Sequence, residues 1–485
     1  MTVASGPRIA IIGTGFGGIG MAIRLKQAGI DNFTIYGKAD DIGGVWHVNT
    51  YPGAACDVAS SLYSFSFERQ FDWQRTHGTQ PEIVTYLKQC AAKYRLASHI
   101  HFGTEIASAS FDADAALWRL IATDGRRFEA QIVVSACGLF NQPAFPEIAG
   151  LAQFGGMVFH SARWNHAFDP SGKRVAVIGT GCSAAQFVPE IVDRAEGLVA
   201  FIRTPQYVMP KNEKVFSPVE REKYARIPLL RRLERLRTYV AFERRFTAQI
   251  DENARRAAEE ASLAFLAREI TDPAKRAKLT PNYRFGCKRL IQSNTYLRAL
   301  NLAKVEVVSS AIARVTPEGI ETVDGALRPV DAIIFGTGFK PTEYLSPMRV
   351  NGLGGRELNE AWRDGAEAYL GITVSGFPNF FMIYGPNTNT INSIVVMIEG
   401  QISYILQCIR RLEQARARYM DVRAEVQARF NHHLRRLLSA TVWGSGCRAY
   451  FVNANGRVVT QWPKPSRVYR WLTRRVKRSD YSFTT

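Results

Sequence analysis

The 485-residue chain has no apolar run long enough to cross a bilayer. Its longest apolar stretches, such as Ile394 to Ile398, are cut by residues like Glu399 well short of the roughly 18 residues a span requires. It also lacks a basic segment, apolar core and small-residue cleavage site at its start. Instead Arg8-Ile9-Ala10-Ile11-Ile12-Gly13 begins almost at once, so no secretory leader is expected and the expected location is cytoplasmic. Cysteine is sparse. Seven residues (Cys56, Cys90, Cys137, Cys182, Cys287, Cys408 and Cys447) are odd in number and scattered, with no CxxC pair to point to zinc or a redox dithiol. Reduced, mostly buried thiols and no metal site are the expectation.

Negative charge is also in deficit, with 43 acidic residues against 62 Lys and Arg, a net charge of +19 and a pI near 9.7. Such a balance admits a nucleic-acid partner, since clustered cations release counterions from phosphate backbones. The surplus concentrates in Arg221 to Arg245, Arg410 to Arg436 and Lys464 to Arg478, and each segment carries regularly spaced apolar residues. Leu229, Leu233, Leu236 and Val240 recur at helical spacing. They predict an amphipathic helix whose leucines are buried and whose arginines form its solvated face. Nucleic acid is therefore not the expected partner; contact of these helices with anionic membrane surfaces or acidic partners is the alternative. The 46% hydrophobic and 22% charged content is that of ordinary globular protein, and the length admits about three domains.

What is present in strength is glycine in two matching contexts. Ile9-Ala10-Ile11-Ile12 reads as a buried strand and runs into GTGFGG, where Gly13, Gly15 and Gly18 give GxGxxG with Phe16 between them. The first glycine permits a tight turn, the second lets a pyrophosphate approach the backbone, and the third lets the next helix pack on the sheet. Residues 19–28 read as that helix, Gly29 as its cap, and Phe33 to Tyr36 as a second strand. Arg174 to Ile178 followed by GTGCSA repeats the pattern, with Gly179, Gly181, Ser183 and Ala184 in the G-x-G-x-x-G/A variant. Two strand-led fingerprints imply two dinucleotide sites.

The two units differ at the residue that ends the second strand. In the second unit the strand from Leu198 to Ile202 ends in Arg203-Thr204 with no carboxylate. A guanidinium there favours the 2′-phosphate of NADP over the 2′-hydroxyl of NAD. In the first unit the position of the usual ribose-binding acid is Gly37, with Asp40 or Asp41 as possible substitutes. A third segment, Asp331 to Phe335 followed by GTGF with Gly338, reads as a buried strand and glycine turn marking the return to the first domain. Phe377 onward supplies another strand and turn, and Ser393 to Arg411 a helix. The chain is thus expected to be α/β, with two Rossmann-like dinucleotide-binding domains, the second inserted in the first. The expected divisions are 1–145 and 341–485 for the first domain, 146–210 and 282–340 for the second, and a helical insertion at 211–281.

Three further segments carry a more specific resemblance. GGVWHVNTYPGAACD, with Gly44, Trp46, Tyr51, Pro52, Gly53 and Asp57, resembles the long motif of flavin-dependent Baeyer–Villiger monooxygenases. FGGMVFHSARWN reproduces that family's F-x-G-x-x-x-H-x-x-x-W pattern through Phe154, Gly156, His160 and Trp164, but has Asn165 where the family usually has Pro or Asp. FGCKRLIQSNTYLRALN is similar to the segment holding its active-site Lys-Arg pair, here Lys288 and Arg289. The likeness extends through Gly385-Pro386-Asn387-Thr388 to Cys447-Arg448-Ala449-Tyr450.

The resemblance implies an FAD- and NADPH-dependent enzyme that converts a ketone to an ester or lactone with molecular oxygen through a C4a-peroxyflavin. It implies that Arg289, oriented by Asp57, is the cation stabilising peroxide and oxyanion. Guanidinium suits this role because it stays charged and offers directed donors. It puts Lys288 near the 2′-phosphate with Arg203 and Thr204, makes Gly13 to Gly18, Gly44, Trp46, Gly338 and Asn387 cofactor contacts, and makes His160 and Trp164 parts of an inter-domain connection. Two alternatives stand beside it. An N- or S-oxygenating flavoprotein shares both fingerprints but usually has Tyr at the Trp164 position. A non-catalytic nucleotide-binding protein would account for Gly37 and the basic helices.

Overall fold

The structure, a computed structural model, describes residues 6–69, 72–447 and 449–485. The chain opens with β1 (Ile9–Ile12), α1 (Phe16–Gln27), β2 (Phe33–Tyr36), β3 (Ile100–His101) and β4 (Ile132–Ser135). These strands run parallel, Ile9 lying opposite both Phe33 and Ile132. Every β1 and β4 residue is buried. That is why both strands read as unbroken apolar runs: a parallel sheet is covered on both faces and has no polar side to alternate.

The second sheet uses β5 (Met157–His160), β6 (Arg174–Ile178) and, after helix α2 (Cys182–Val192), β7 (Gly197–Phe201). A run of helices follows: α3 (Pro218–Arg226), α4 (Pro228–Arg245), α5 (Thr247–Ile250), α6 (Glu252–Glu269) and α7 (Pro273–Leu279). Their starts are signalled by side chains that satisfy orphan backbone donors. Ser217 and Glu220 form a capping box on α3, and Asp251 and Asp272 cap α6 and α7. Strands β8 (Val305–Val308) and β9 (Ala332–Phe335) then complete the sheet in the order β8-β7-β6-β9-β5. The chain returns with β10 (Phe380–Met382), which closes the first sheet as β10-β4-β1-β2-β3, and ends with helices that include α8 (Ile394–Gln414) and α9 (Ser466–Leu472). The fold is α/β, with a second Rossmann-like unit inserted in the first and a helical insertion within the second.

The connections out of and back into the first unit run side by side. Ala144 N donates to Gly338 O at 2.9 Å and Lys340 N to Gln142 O at 3.0 Å. The strand expected to mark the return, Ala332–Phe335, lies inside the second sheet between β6 and β5. The return begins one residue later, in the glycine turn.

Two expectations are overturned. The first is the orientation of α4. Leu229, Leu233, Leu236 and Val240 are 59%, 40%, 57% and 40% exposed, so the apolar stripe faces outward. An arginine face turns in: Arg235 Nη1 donates to Ser61 O at 2.8 Å and Ser64 O at 2.9 Å, and Arg231 Nη1 to Arg69 O at 3.1 Å. The loop beneath α4 presents carbonyl oxygens, which satisfy a buried guanidinium and have no use for leucine. The second concerns the thiols. Cys287 and Cys447 form a disulfide with Cα atoms 5.4 Å apart, and the other five cysteines are free. Their separation of 160 residues gives no pairing signal in sequence; folding alone brings them together.

Candidate active site

The first glycine loop leaves α1 uncapped by any side chain and without an acid in its first turn, so its N–H groups can serve an anion. A Cβ at Gly13 would come within 2.5 Å of Ala136 O, and one at Gly18 within 1.8 Å of Gly13 O. The Phe16 ring packs on Tyr63 and Phe65 in the core, leaving only its backbone to a phosphate. Gly37 also has a steric cause: a Cβ there would approach Thr14 Cγ2 to 2.6 Å. Asp40 is bonded to His47 at 2.8 Å and Asp41 to Lys88 at 2.5 Å. Both proposed substitutes for the missing acid are therefore already partnered.

The second loop repeats these features. Gly179 has φ +125 and backs onto Gly336 O, Gly181 starts α2 with no side-chain cap, and Ala184 is fully buried beneath it. Beyond β7, Thr204 O accepts from Thr180 Oγ1 at 3.1 Å, and Arg203 is exposed. Lys288 lies near Arg203, with its ammonium 5.0 Å from the Tyr283 ring centre. Burial and then the Arg203 charge hold Lys288 below the usual lysine range. Two cations on adjoining segments thus lie near each other, neither ion-paired among the described residues.

The segment 43–57 joins the two loops. Gly43 N donates to Thr14 O at 3.0 Å, and Trp46 Nε1 to Tyr63 Oη at 3.0 Å. From Tyr51 onward it grips α2 through one residue that sequence reasoning missed. Gln186 Oε1 accepts from Tyr51 Oη at 3.0 Å and Ala55 N at 3.3 Å, while its Nε2 donates to Ala55 O at 2.9 Å. Its position one turn after Cys182, on the face toward this segment, was the available signal. Ser183 also lies within hydrogen-bonding range of Tyr51.

Asp57 ends this segment and meets Arg289. Nε of Arg289 donates to Asp57 Oδ2 at 3.1 Å, and a second guanidinium nitrogen donates to the same oxygen. Burial raises the Asp57 carboxyl, but the charge and hydrogen bonds of Arg289 outweigh it and hold the group below the usual carboxylate range. The carboxylate in turn raises Arg289 well above its ordinary value. The side chain of Arg289 is 40% accessible. Around it stand Cys182 at the start of α2, Tyr450 from the C-terminal segment, and Lys211, whose charge also reaches Asp57. Sequence reasoning had not assigned Cys182, Tyr450 or Lys211 to the site. Of the C-terminal segment in the resemblance, residue 448 lies outside the described residues.

The inter-domain motif lies apart from this pair. His160 is 1% exposed, between the rings of Phe145 and Phe339 on the two connecting segments, and its Nδ1 accepts from Ala162 N. Burial pulls its pKa down to about 4. Trp164 packs edge-on to Phe159 and against Phe187 of α2. Gly156 has no room for a Cβ, which would meet Asp331 O at 2.3 Å and the Phe154 ring at 2.7 Å. Asn165 accepts from Ala167 N at 3.0 Å and closes its turn locally. Asn387 is not brought to the pair. Its amide donates to Val458 O and Gln461 O and holds the C-terminal segment in place.

Two uncapped glycine loops, two neighbouring cations beside the second and a guanidinium–carboxylate pair define an FAD- and NADPH-dependent flavoprotein oxygenase. Residues 10–227 match the family model described as pyridine nucleotide-disulphide oxidoreductase. A Baeyer–Villiger monooxygenase of Pseudomonas aeruginosa is 43% identical, covering 99% of this chain and 92% of the relative. One from Streptomyces coelicolor is 40% identical, covering 98% and 92%. The solved closed structure of a cyclohexanone monooxygenase superposes with a TM-score of 0.89 at 29% identity over all of both chains. The chain belongs to the Baeyer–Villiger monooxygenases.

Proposed function

We propose that the protein converts a ketone to an ester or lactone, with Arg289 as the cation that receives negative charge at the reacting centre. The overall reaction takes ketone, oxygen, NADPH and a proton to ester, NADP⁺ and water. When bound, FAD supplies the hydride acceptance and oxygen activation that no side chain can provide.

The chain's own residues perform the rest. The N–H groups of α1 and α2 would hold the two pyrophosphates, while Lys288 and Arg203 would grip the 2′-phosphate. Arg289 donates to the substrate carbonyl oxygen as that oxygen becomes negative; a fixed, fully charged donor stabilises the developing charge without reorganising. Asp57 positions Arg289 through the paired hydrogen bonds to Oδ2. The observation that carries this reading is the Asp57–Arg289 pair, at the junction of the 43–57 segment, the α2 N-terminus and the C-terminal segment. His160 and Trp164 act through the geometry of the connecting segments, and the buried neutral imidazole is suited to packing there.

The test incubates FAD-loaded protein with NADPH and a panel of ketones, amines and sulfides and identifies products by mass. Esters or lactones are expected. N-oxides and S-oxides without any ester would overturn the reading, as would normal ester formation by Arg289→Ala.

A further inference from the structure

Helix α4 displays its leucines to solvent, and their neighbours on that face are cations. Leu229, Leu233, Leu236 and Val240 are spaced so that they lie along one side of the helix, and all four are at least 40% exposed. Arg232, Arg237 and Arg244 are exposed beside them and have no ion-pair partner among the described residues. The glutamates of α4 are turned away: Glu243 is 9% exposed and accepts from Ser466 N at 2.9 Å, and Glu234 is half-buried.

The orientation is fixed from beneath. Arg235, only 12% accessible, faces Glu399 at 3.9 Å in addition to its bonds to Ser61 O and Ser64 O. Inverting α4 to bury its leucines would strand these guanidinium groups and the carbonyls they satisfy. The helix therefore presents, at rest, an apolar stripe bordered by positive charge. Next to it α9 is docked through Glu243, which accepts from Ser466 and from Arg467 N, and carries Trp471 at 71% exposure with Arg470 and Arg474 on either side in sequence.

We propose that this face docks on the surface of an anionic lipid bilayer, with the leucines of α4 entering the headgroup–acyl boundary and its arginines contacting lipid phosphates. The chemistry is that of an interfacial amphipathic helix, in which apolar burial and attraction to anionic lipid add. A second copy of the chain fits the face poorly. A twofold contact sets the same patch against itself and would bring Arg232, Arg237 and Arg244 of one copy toward those of the other. Nucleic acid would satisfy the arginines but not four aliphatic side chains. Among the described residues no helix is long and apolar enough to cross a membrane, so the contact is peripheral.

The experiment is vesicle flotation of the FAD-loaded protein at low and high salt. One vesicle set is phosphatidylcholine alone and the other a mixture with phosphatidylglycerol. The protein should float with the mixed vesicles at low salt and remain behind with phosphatidylcholine or at high salt. Leu233→Glu/Leu236→Glu should cut the bound fraction at least about tenfold, and Arg232→Ala/Arg237→Ala/Arg244→Ala should weaken binding on the order of a hundredfold, from the attraction of each cation to the anionic surface. These side chains are exposed, so both variants should keep bound flavin and NADPH oxidation, which shows that they fold. Failure of the parent protein to float with anionic vesicles at low salt would overturn the proposal. So would flotation that both variants retain, or a concentration-dependent dimer in sedimentation that Leu233→Glu/Leu236→Glu abolishes.

Discussion

Arg289 crosses 232 residues of sequence to place its Nε 3.1 Å from Oδ2 of Asp57, and both of its donors to the carboxylate converge on that one oxygen. The arrangement fixes the guanidinium plane. Arg289→Lys keeps a positive charge but loses the paired geometry. It should therefore retain NADPH-driven flavin reduction within a few-fold while ester formation falls on the order of 10² to 10³-fold. Stopped-flow reduction and product mass measured on the same preparation separate the two steps; a parallel loss of both would count against the assignment.

Lys288 and Arg203 form the other cationic pair. If they hold the 2′-phosphate, Lys288→Ala or Arg203→Ala should raise KM for NADPH by about ten- to a hundredfold, the range expected for one charge-assisted hydrogen bond. KM for NADH should barely change. Steady-state kinetics with both nucleotides reads the ratio, and an equal rise for both would place the side chains elsewhere.

Gln186 ties the 43–57 segment to α2 through three hydrogen bonds. Gln186→Leu keeps its approximate volume and removes three hydrogen bonds, leaving the Ala55 amide groups unsatisfied. A stability loss of about 1–3 kcal/mol is expected in urea unfolding followed by flavin fluorescence. It should be accompanied by more NADPH oxidised per ester formed, because Asp57 ends the loosened segment.

Asp421 accepts from Gly376 N at 2.8 Å, but its Oδ1 is buried without a partner among the described residues. Burial raises its pKa to about 6 from 3.8. A folded-state pKa above the unfolded one means the folded protein holds more protons between those values. The contribution to stability is therefore full below about 4 and lost as pH rises through about 6, by on the order of 3 kcal/mol. Asp421→Asn should abolish this dependence and raise Tm at pH 7. Thermal melts across that range would refute the reading if parent and variant kept the same offset throughout.

Much of the site was legible because its parts are backbone requirements. Gly13, Gly18, Gly156 and Gly179 stand where a Cβ would strike a carbonyl oxygen, and such positions advertise themselves as glycines at fixed spacing. Gln186 and Cys182 on α2, Lys211 and Tyr450 were not picked out, since they come from three separate segments that only folding brings beside Asp57 and Arg289. The Cys287–Cys447 pairing was hidden for the same reason, and parity misled, because five free thiols accompany it.

The amino-acid order by itself determined the two strand–glycine–helix units, the parallel sheets they nucleate and the periodicity that makes α4 a two-faced helix. These depend on interactions within a few turns of chain. Which face of α4 turns inward was decided only by the tertiary structure, because it depends on what lies beneath. The carbonyls of Ser61, Ser64 and Arg69 and the carboxylate of Glu399 accept guanidinium groups, so Arg231 and Arg235 are held inside and the leucines are left to the outside.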